Sequence, residues 1–295
     1  MTHPKIGATG GSERIDRVKH FECDEPSESA VEPSGNIDAS IETCTYSLKV
    51  AYDGAPFCGF ARQPGQLTIQ GELEHALGLV LRMPIETTCA GRTDAGVHAK
   101  EQVVSFDVPE GLMGERSERS FLKSLNALTA DGIVVYEVER REPGFSARFD
   151  AKMREYRYFI HNEPFPPIFS EAFCWHVKKP LDVDAMQRGA EFLIGEHDFK
   201  SFCMAASAEG RRTYRYVDEI SFHRCEEFGE RLLYVKVRGN AFLHSMVRAI
   251  AGTLVAVGKG QRSPEWIEKV LEARSRTAAG ENAPAKGLVL WSVEY

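Results

Sequence analysis

The chain has 295 residues, 43% hydrophobic and 27% charged, with a formal net charge of −7, the composition of a globular protein with room for one large core or two domains. Seven scattered cysteines, odd in number and without a C-x-x-C pair, argue against a disulfide framework or a zinc knuckle and point to a reducing, cytoplasmic compartment. There is no signal-like start, and the most apolar stretch, Ala249 to Val257, is too short and glycine-broken to span a bilayer, so no membrane role is expected.

Charge is unevenly spread. Residues 1–44 carry nine acids and four bases, a net of −5, leaving −2 for the rest. In that remainder the bases cluster at Arg140, Arg141, Arg148, Lys152, Arg154 and Arg157, then at Arg211, Arg212 and Arg215, which predicts a basic face on a near-neutral body; the alternative is an ion-paired, solvated surface.

In chain order, residues 1–44 are rich in Ser, Glu, Gly and Pro without periodicity and read as a disordered acidic extension. Thr45–Tyr52 alternates as a strand and ends in the turn pair Asp53-Gly54. A Gly/Pro-rich loop follows to Gly65, and Thr68 is placed to cap a helix with Leu73, Ala76, Leu77, Val80 and Leu81 inward. Two strand-like stretches, Ile85–Cys89 and Gln102–Val108, bracket Cys89-Ala90-Gly91-Arg92-Thr93-Asp94-Ala95-Gly96-Val97-His98-Ala99. That loop packs a guanidinium, a hydroxyl, a carboxylate and an imidazole between glycines expected to supply positive φ, which places Asp94 at a loop apex beside a cleft; the plain alternative is an Asx-turn on the surface.

Ser117 caps a second predicted helix with Phe121, Leu122, Leu125 and Leu128 on one face, and Gly132–Glu139 is a strand. Arg154–Ile160 opens a second, similar series: a helix over Asp184–Ile194 with Met186, Ala190, Leu193 and Ile194 inward, strands Tyr214–Phe222 and Leu232–Val237, a helix Phe242–Val257, a helix opened by Ser263-Pro264-Glu265, and a strand Val289–Val293. The expected fold class is α+β: two ferredoxin-like (split βαβ) α/β domains with mainly antiparallel sheets flanking a central cleft, over residues 45–145 and 146–295, with the boundary near Glu142–Asp150.

From Tyr46 to Tyr295 the chain resembles the tRNA pseudouridine synthases of the TruA type. The resemblance is carried, in order, by Tyr52-Asp53-Gly54 with Gly59-Phe60, Gly91-Arg92-Thr93-Asp94-Ala95-Gly96-Val97-His98, Ser146-Ala147-Arg148-Phe149-Asp150-Ala151, Arg154-Glu155-Tyr156-Arg157-Tyr158, Asp198-Phe199-Lys200-Ser201-Phe202, Phe242-Leu243-His244-Ser245-Met246-Val247-Arg248, and Ala278-Ala279-Gly280 with Ala283-Pro284-Ala285-Lys286-Gly287-Leu288. Departures are the acidic extension, Phe60-Ala61 where many members carry Trp-Gln, and Asn282 where Thr is usual. The resemblance implies a dimeric isomerase, free of cofactor and metal, that converts uridines 38, 39 and 40 of the tRNA anticodon arm to pseudouridine in an RNA-binding cleft.

It also implies roles. The reaction breaks the N1–C1′ bond, turns the uracil, joins C5 to C1′ and releases the C5 proton. Asp94 is assigned as the carboxylate that either adds to C1′ or removes a ribose proton. Arg248, on an apolar helical run, is its expected buried partner. Tyr156 shares a strand face with Arg154 and Tyr158 and is assigned to stack on the uracil and take the C5 proton. Arg92 is expected to fill the place of the flipped nucleotide, and Arg148, Arg211 and Arg212 to contact phosphates. His98 could pair with Asp94 at a metal or in a relay, but no H-E-x-x-H, cysteine pair or nucleophile elbow accompanies them; His197, His223 and His244 are isolated and read as structural. Two rival readings are a non-catalytic tRNA-binding and folding protein, which needs the arginines but not Asp94, and a hydrolase that uses Asp94 with His98.

Overall fold

A computed structural model describes residues 42–114, 116–204 and 210–295; nearly all of the acidic extension lies outside the described residues. Strand β1 (Thr43–Tyr52) alternates as expected and pairs on one edge with β3 (His98–Pro109) and on the other with β4 (Ile133–Arg141), antiparallel in both cases. Helix α1 (Ile69–Leu81) starts where Thr68 accepts the Gly71 N–H, and its apolar stripe of Leu73, Ala76, Leu77, Val80 and Leu81 is buried. Only Thr88–Cys89 of the predicted second strand pairs, as β2, against β3. Helix α2 (Glu118–Asn126) is capped by Ser117; it stops before Leu128, which is therefore exposed and not on the buried face.

The second half has more elements. Strand β5 (Met153–His161) is central, with the two-residue β6 (Trp175–His176) parallel to its end. Helix α3 (Val183–Glu191) buries Met186 and Ala190, but it ends before Ile194, which turns outward. Strand β7 (Gly195–Asp198) pairs with β8 (Tyr214–Glu227), which forms a long hairpin with β9 (Glu230–Gly239). Helix α4 (Met246–Gly258) is apolar almost all round and buried accordingly. Helix α5 (Trp266–Ala273) begins two residues beyond the predicted proline, because Ser263 and Pro264 form the tight turn before it. Strand β10 is Leu288–Glu294.

The strands form a single sheet in the order β4-β1-β3-β10-β5-β9-β8-β7, mostly antiparallel, with β2 on β3 and β6 on β5 beside that path. Two separate sheets were expected, but β10 joins the halves by pairing parallel to β3 at His98 and Ala99 and antiparallel to β5. The five α-helices among the described residues complete an α+β architecture. No described helix is long and apolar enough to cross a membrane.

Candidate active site

The loop from Gly91 to Val97 joins β2 to β3 and is fixed by buried polar groups. Gln102, fully buried on β3, donates to the Gly91 carbonyl at 2.6 Å, and the Thr93 hydroxyl is 2.8 Å from that of Tyr52. The Phe60 N–H donates to the Thr93 carbonyl at 3.0 Å, which brings the Gly/Pro-rich loop against the motif. Gly96 has the expected positive φ of 75°. Gly91 does not; there the missing side chain makes room, since a Cβ would lie 3.3 Å from the Tyr156 hydroxyl oxygen.

Asp94 sits at the loop apex, and the expected partner is found. Arg248, in the first turn of α4, donates through Nη1 to Oδ2 at 2.9 Å while its Nε holds the Ala283 carbonyl at 2.9 Å. Two partners were not expected from sequence. The Ser245 hydroxyl donates to Oδ2 at 2.7 Å, and His244 Nε2 lies 3.2 Å from Oδ1. His244 is thus not the isolated histidine predicted. Ser245 precedes α4 with φ of 57° in the left-handed region, so the helix starts four residues later than expected and both side chains turn to the carboxylate. Burial acts to raise the Asp94 carboxyl, but the hydrogen bond and charge of His244, the Ser245 hydroxyl and the Arg248 charge outweigh it and hold it down at about 2. The site therefore presents an ionised, nearly buried carboxylate with 14% of its side-chain surface open.

Tyr156 is buried on β5 with its ring edge-on to Phe242 at 5.2 Å between centroids. Burial pushes its hydroxyl well above the usual range. Tyr158 is core, donating to the Pro284 carbonyl at 2.8 Å. Arg92 is exposed on the Asp94 loop. Arg148 is exposed beside the Phe149 ring, whereas Arg212 pairs with Glu196 at 3.2 Å and Arg211 is exposed next to it. The basic run around β5 is not one face. Strand alternation turns Arg154 inward and sends Arg157 to the opposite side, over the Trp291 ring at 3.8 Å and onto Glu155 at 2.8 Å. His98 does not form a relay with Asp94: its Nδ1 is 3.1 Å from Asp53 Oδ1 and its ring packs on Phe173. Among the described residues no group of three or more His, Cys, Asp or Glu side chains could hold a metal ion.

Comparison with known proteins identifies the family. A family model described as tRNA pseudouridine synthase matches residues 190–295. The chain is 45% identical over 246 residues to tRNA pseudouridine synthase A of Brevibacillus brevis, covering 83% of this chain and 97% of that protein. It is 42% identical to the Bacillus subtilis protein of the same name, with the same two coverages, and 43% identical to that of Methylococcus capsulatus over 84% of this chain and 89% of the relative. The chain belongs to the tRNA pseudouridine synthase family, a family of isomerases.

Proposed function

We propose that the protein isomerises uridines 38, 39 and 40 of the tRNA anticodon stem-loop to pseudouridine, with Asp94 as the catalytic carboxylate and without a cofactor. The observation that carries this reading is the ionised Asp94 under three donors, Arg248, Ser245 and His244. A carboxylate kept charged in a mostly closed site suits attack at C1′ or removal of a ribose proton as the N1–C1′ bond breaks. Tyr156, with its hydroxyl against Gly91, stacks on the freed uracil and takes the proton from C5 once C5 has joined C1′.

Extruding the nucleotide costs a few kcal/mol, and Arg92 fills the vacated place in the stack. Arg148, Arg211 and Arg212 are exposed, and in this reading they contact phosphates. The strand orders β4-β1-β3-β2 and β10-β5-β9-β8 support reading residues 45–145 and 146–295 as two split βαβ units that share one sheet. The protein acts in the cytoplasm as a homodimer. The dimer is supported by Phe165, Ile168, Phe169 and Phe228, each at least 69% exposed, with Phe169 and Phe228 in ring contact and the backbone of Ile168 to Ser170 held by Glu230.

The test is release of tritium from uracil C5 of unmodified tRNA by the wild type and by Asp94→Asn, with a second tRNA carrying cytidine at positions 38–40. Release by the wild type from the first tRNA alone, reduced about 10³-fold or more in the variant, is expected. Binding without release would favour the folding-protein reading, and neither would favour the hydrolase.

A further inference from the structure

Arg154 is buried on β5, at 8% exposure, and its guanidinium has no donor left for a carboxylate. Nε and Nη2 both donate to the Ala90 carbonyl, at 3.1 and 2.9 Å; Nη2 also donates to Arg148 at 2.7 Å, and Nη1 donates to the carbonyls of Ala151 and Asn240 at 3.0 and 2.5 Å. All five N–H groups thus end on main-chain carbonyls. Those carbonyls belong to three segments: the residue before the Asp94 loop, the turn at residues 148–151, and the residue after β9 that leads to Phe242–Arg248. One side chain therefore ties together the loop that carries Asp94 and the segment that supplies its donors.

Carbonyl dipoles satisfy the donors but leave the unit charge in place. Tyr156 is two residues further along the same strand face, and its hydroxyl oxygen lies against Gly91, the neighbour of the Ala90 that Arg154 grips. The cation and the phenol oxygen thus lie at consecutive residues, Arg154 on the Ala90 carbonyl and the Tyr156 oxygen beside Gly91. After burial, the Arg154 charge is the leading influence on the Tyr156 hydroxyl, and it acts to lower it.

We propose that Arg154 is a positioning residue for the C5 proton-removal step: it fixes the Asp94 loop and the Phe242 segment beside Tyr156, and its uncancelled charge favours the negative charge that develops on the Tyr156 oxygen as the hydroxyl proton leaves. This rests on the reading of the chain as a uridine isomerase with Tyr156 as the proton acceptor. In the step, the C5–H bond of the C5–C1′-linked intermediate breaks and its electron pair forms C5=C6. The C6=N1 pair moves to N1, which takes a proton from water; the Tyr156 oxygen takes the C5 proton as its own hydroxyl proton passes to that water, so the phenol is neutral before and after the step. Protons and electrons balance, as an isomerisation requires.

The experiment measures single-turnover loss of C5 hydrogen from tRNA carrying protium or deuterium at uracil C5, with wild type, Arg154→Lys, Tyr156→Phe and the double variant. Lysine keeps a charge but supplies three donors without the planar fork. The expected result for Arg154→Lys is tRNA binding within about threefold of wild type, a rate lower by roughly 10–100-fold, and a C5 isotope effect larger than that of the wild type. In the Tyr156→Phe background the same change has little further effect. The proposal is overturned if the Arg154→Lys rate is unchanged, if its loss appears only in tRNA binding, or if the loss is equally large without the Tyr156 hydroxyl. Absence of C5 release by the wild type would instead overturn the isomerase reading itself.

Discussion

Asp94 accepts from three side chains within His244–Arg248, so a short stretch of chain sets the ionisation of the candidate catalytic group. Its carboxyl is lowered from 3.8 to about 2. A depressed carboxylate contributes stability that is complete above its unfolded value and disappears as the pH falls through the folded one. The expected contribution is on the order of 2 kcal/mol at neutral pH, lost between about pH 4 and pH 2. Urea midpoints measured across that window should fall more steeply for the wild type than for Asp94→Asn. The Asp94–Arg248 pair was legible because an arginine in an apolar helical run calls for a buried acid. Ser245 was not, because its positive φ breaks the helical pattern that places side chains on faces. The wholly main-chain environment of Arg154 was illegible too, because carbonyls leave no mark on residue type.

At the scale of elements, α4 and the segment that follows α5 form a clamp on the site. Gly252 on α4 admits the Glu281 carbonyl so closely that a Cβ would approach it to 1.9 Å, and the Thr253 hydroxyl accepts the Gly280 N–H at 3.0 Å. The same segment then supplies Ala283, whose N–H donates to the Arg248 carbonyl at 3.1 Å while its own carbonyl takes Arg248 Nε. Gly252→Ala is expected to destabilise the fold by about 1–3 kcal/mol and to lower turnover by loosening Arg248, as read from the urea midpoint and C5 hydrogen release. Asn282 has a local role here, accepting from Arg276 at 2.9 Å. Long strands and helices with a clear period were readable in advance. The short polar β7, Gly195–Asp198, and the two-residue β6 were not, because pairing with neighbours defines them more than pattern does.

For the whole molecule, the arginines that look clustered in sequence divide among core, ion pairs and open surface. Tight phosphate binding should therefore depend on a subset. Arg148→Ala is expected to lower the slope of log affinity for tRNA against log salt by about 1, whereas Arg157→Ala, whose side chain is engaged by Glu155 and Trp291, leaves it unchanged. The exposed phenylalanines give a second expectation: Phe165→Ser with Phe228→Ser should shift the mass measured by light scattering from dimer towards monomer, with the thermal midpoint little changed.

β10 follows every other described strand yet lies between β3 and β5 in the sheet. During synthesis the parts of those strands that β10 pairs with, His98–Ala99 of β3 and Met153–Tyr158 of β5, stay open until residues 288–294 have emerged, and β3 begins at His98, four residues after Asp94. A nascent chain that already holds the Asp94 loop, Tyr156 and Arg248 still lacks the strand that joins its two halves. Its unpaired edges are the hazard of that interval, as open strand edges invite pairing with other chains. The joining of the two halves thus waits on β10, whatever the earlier segments have already built.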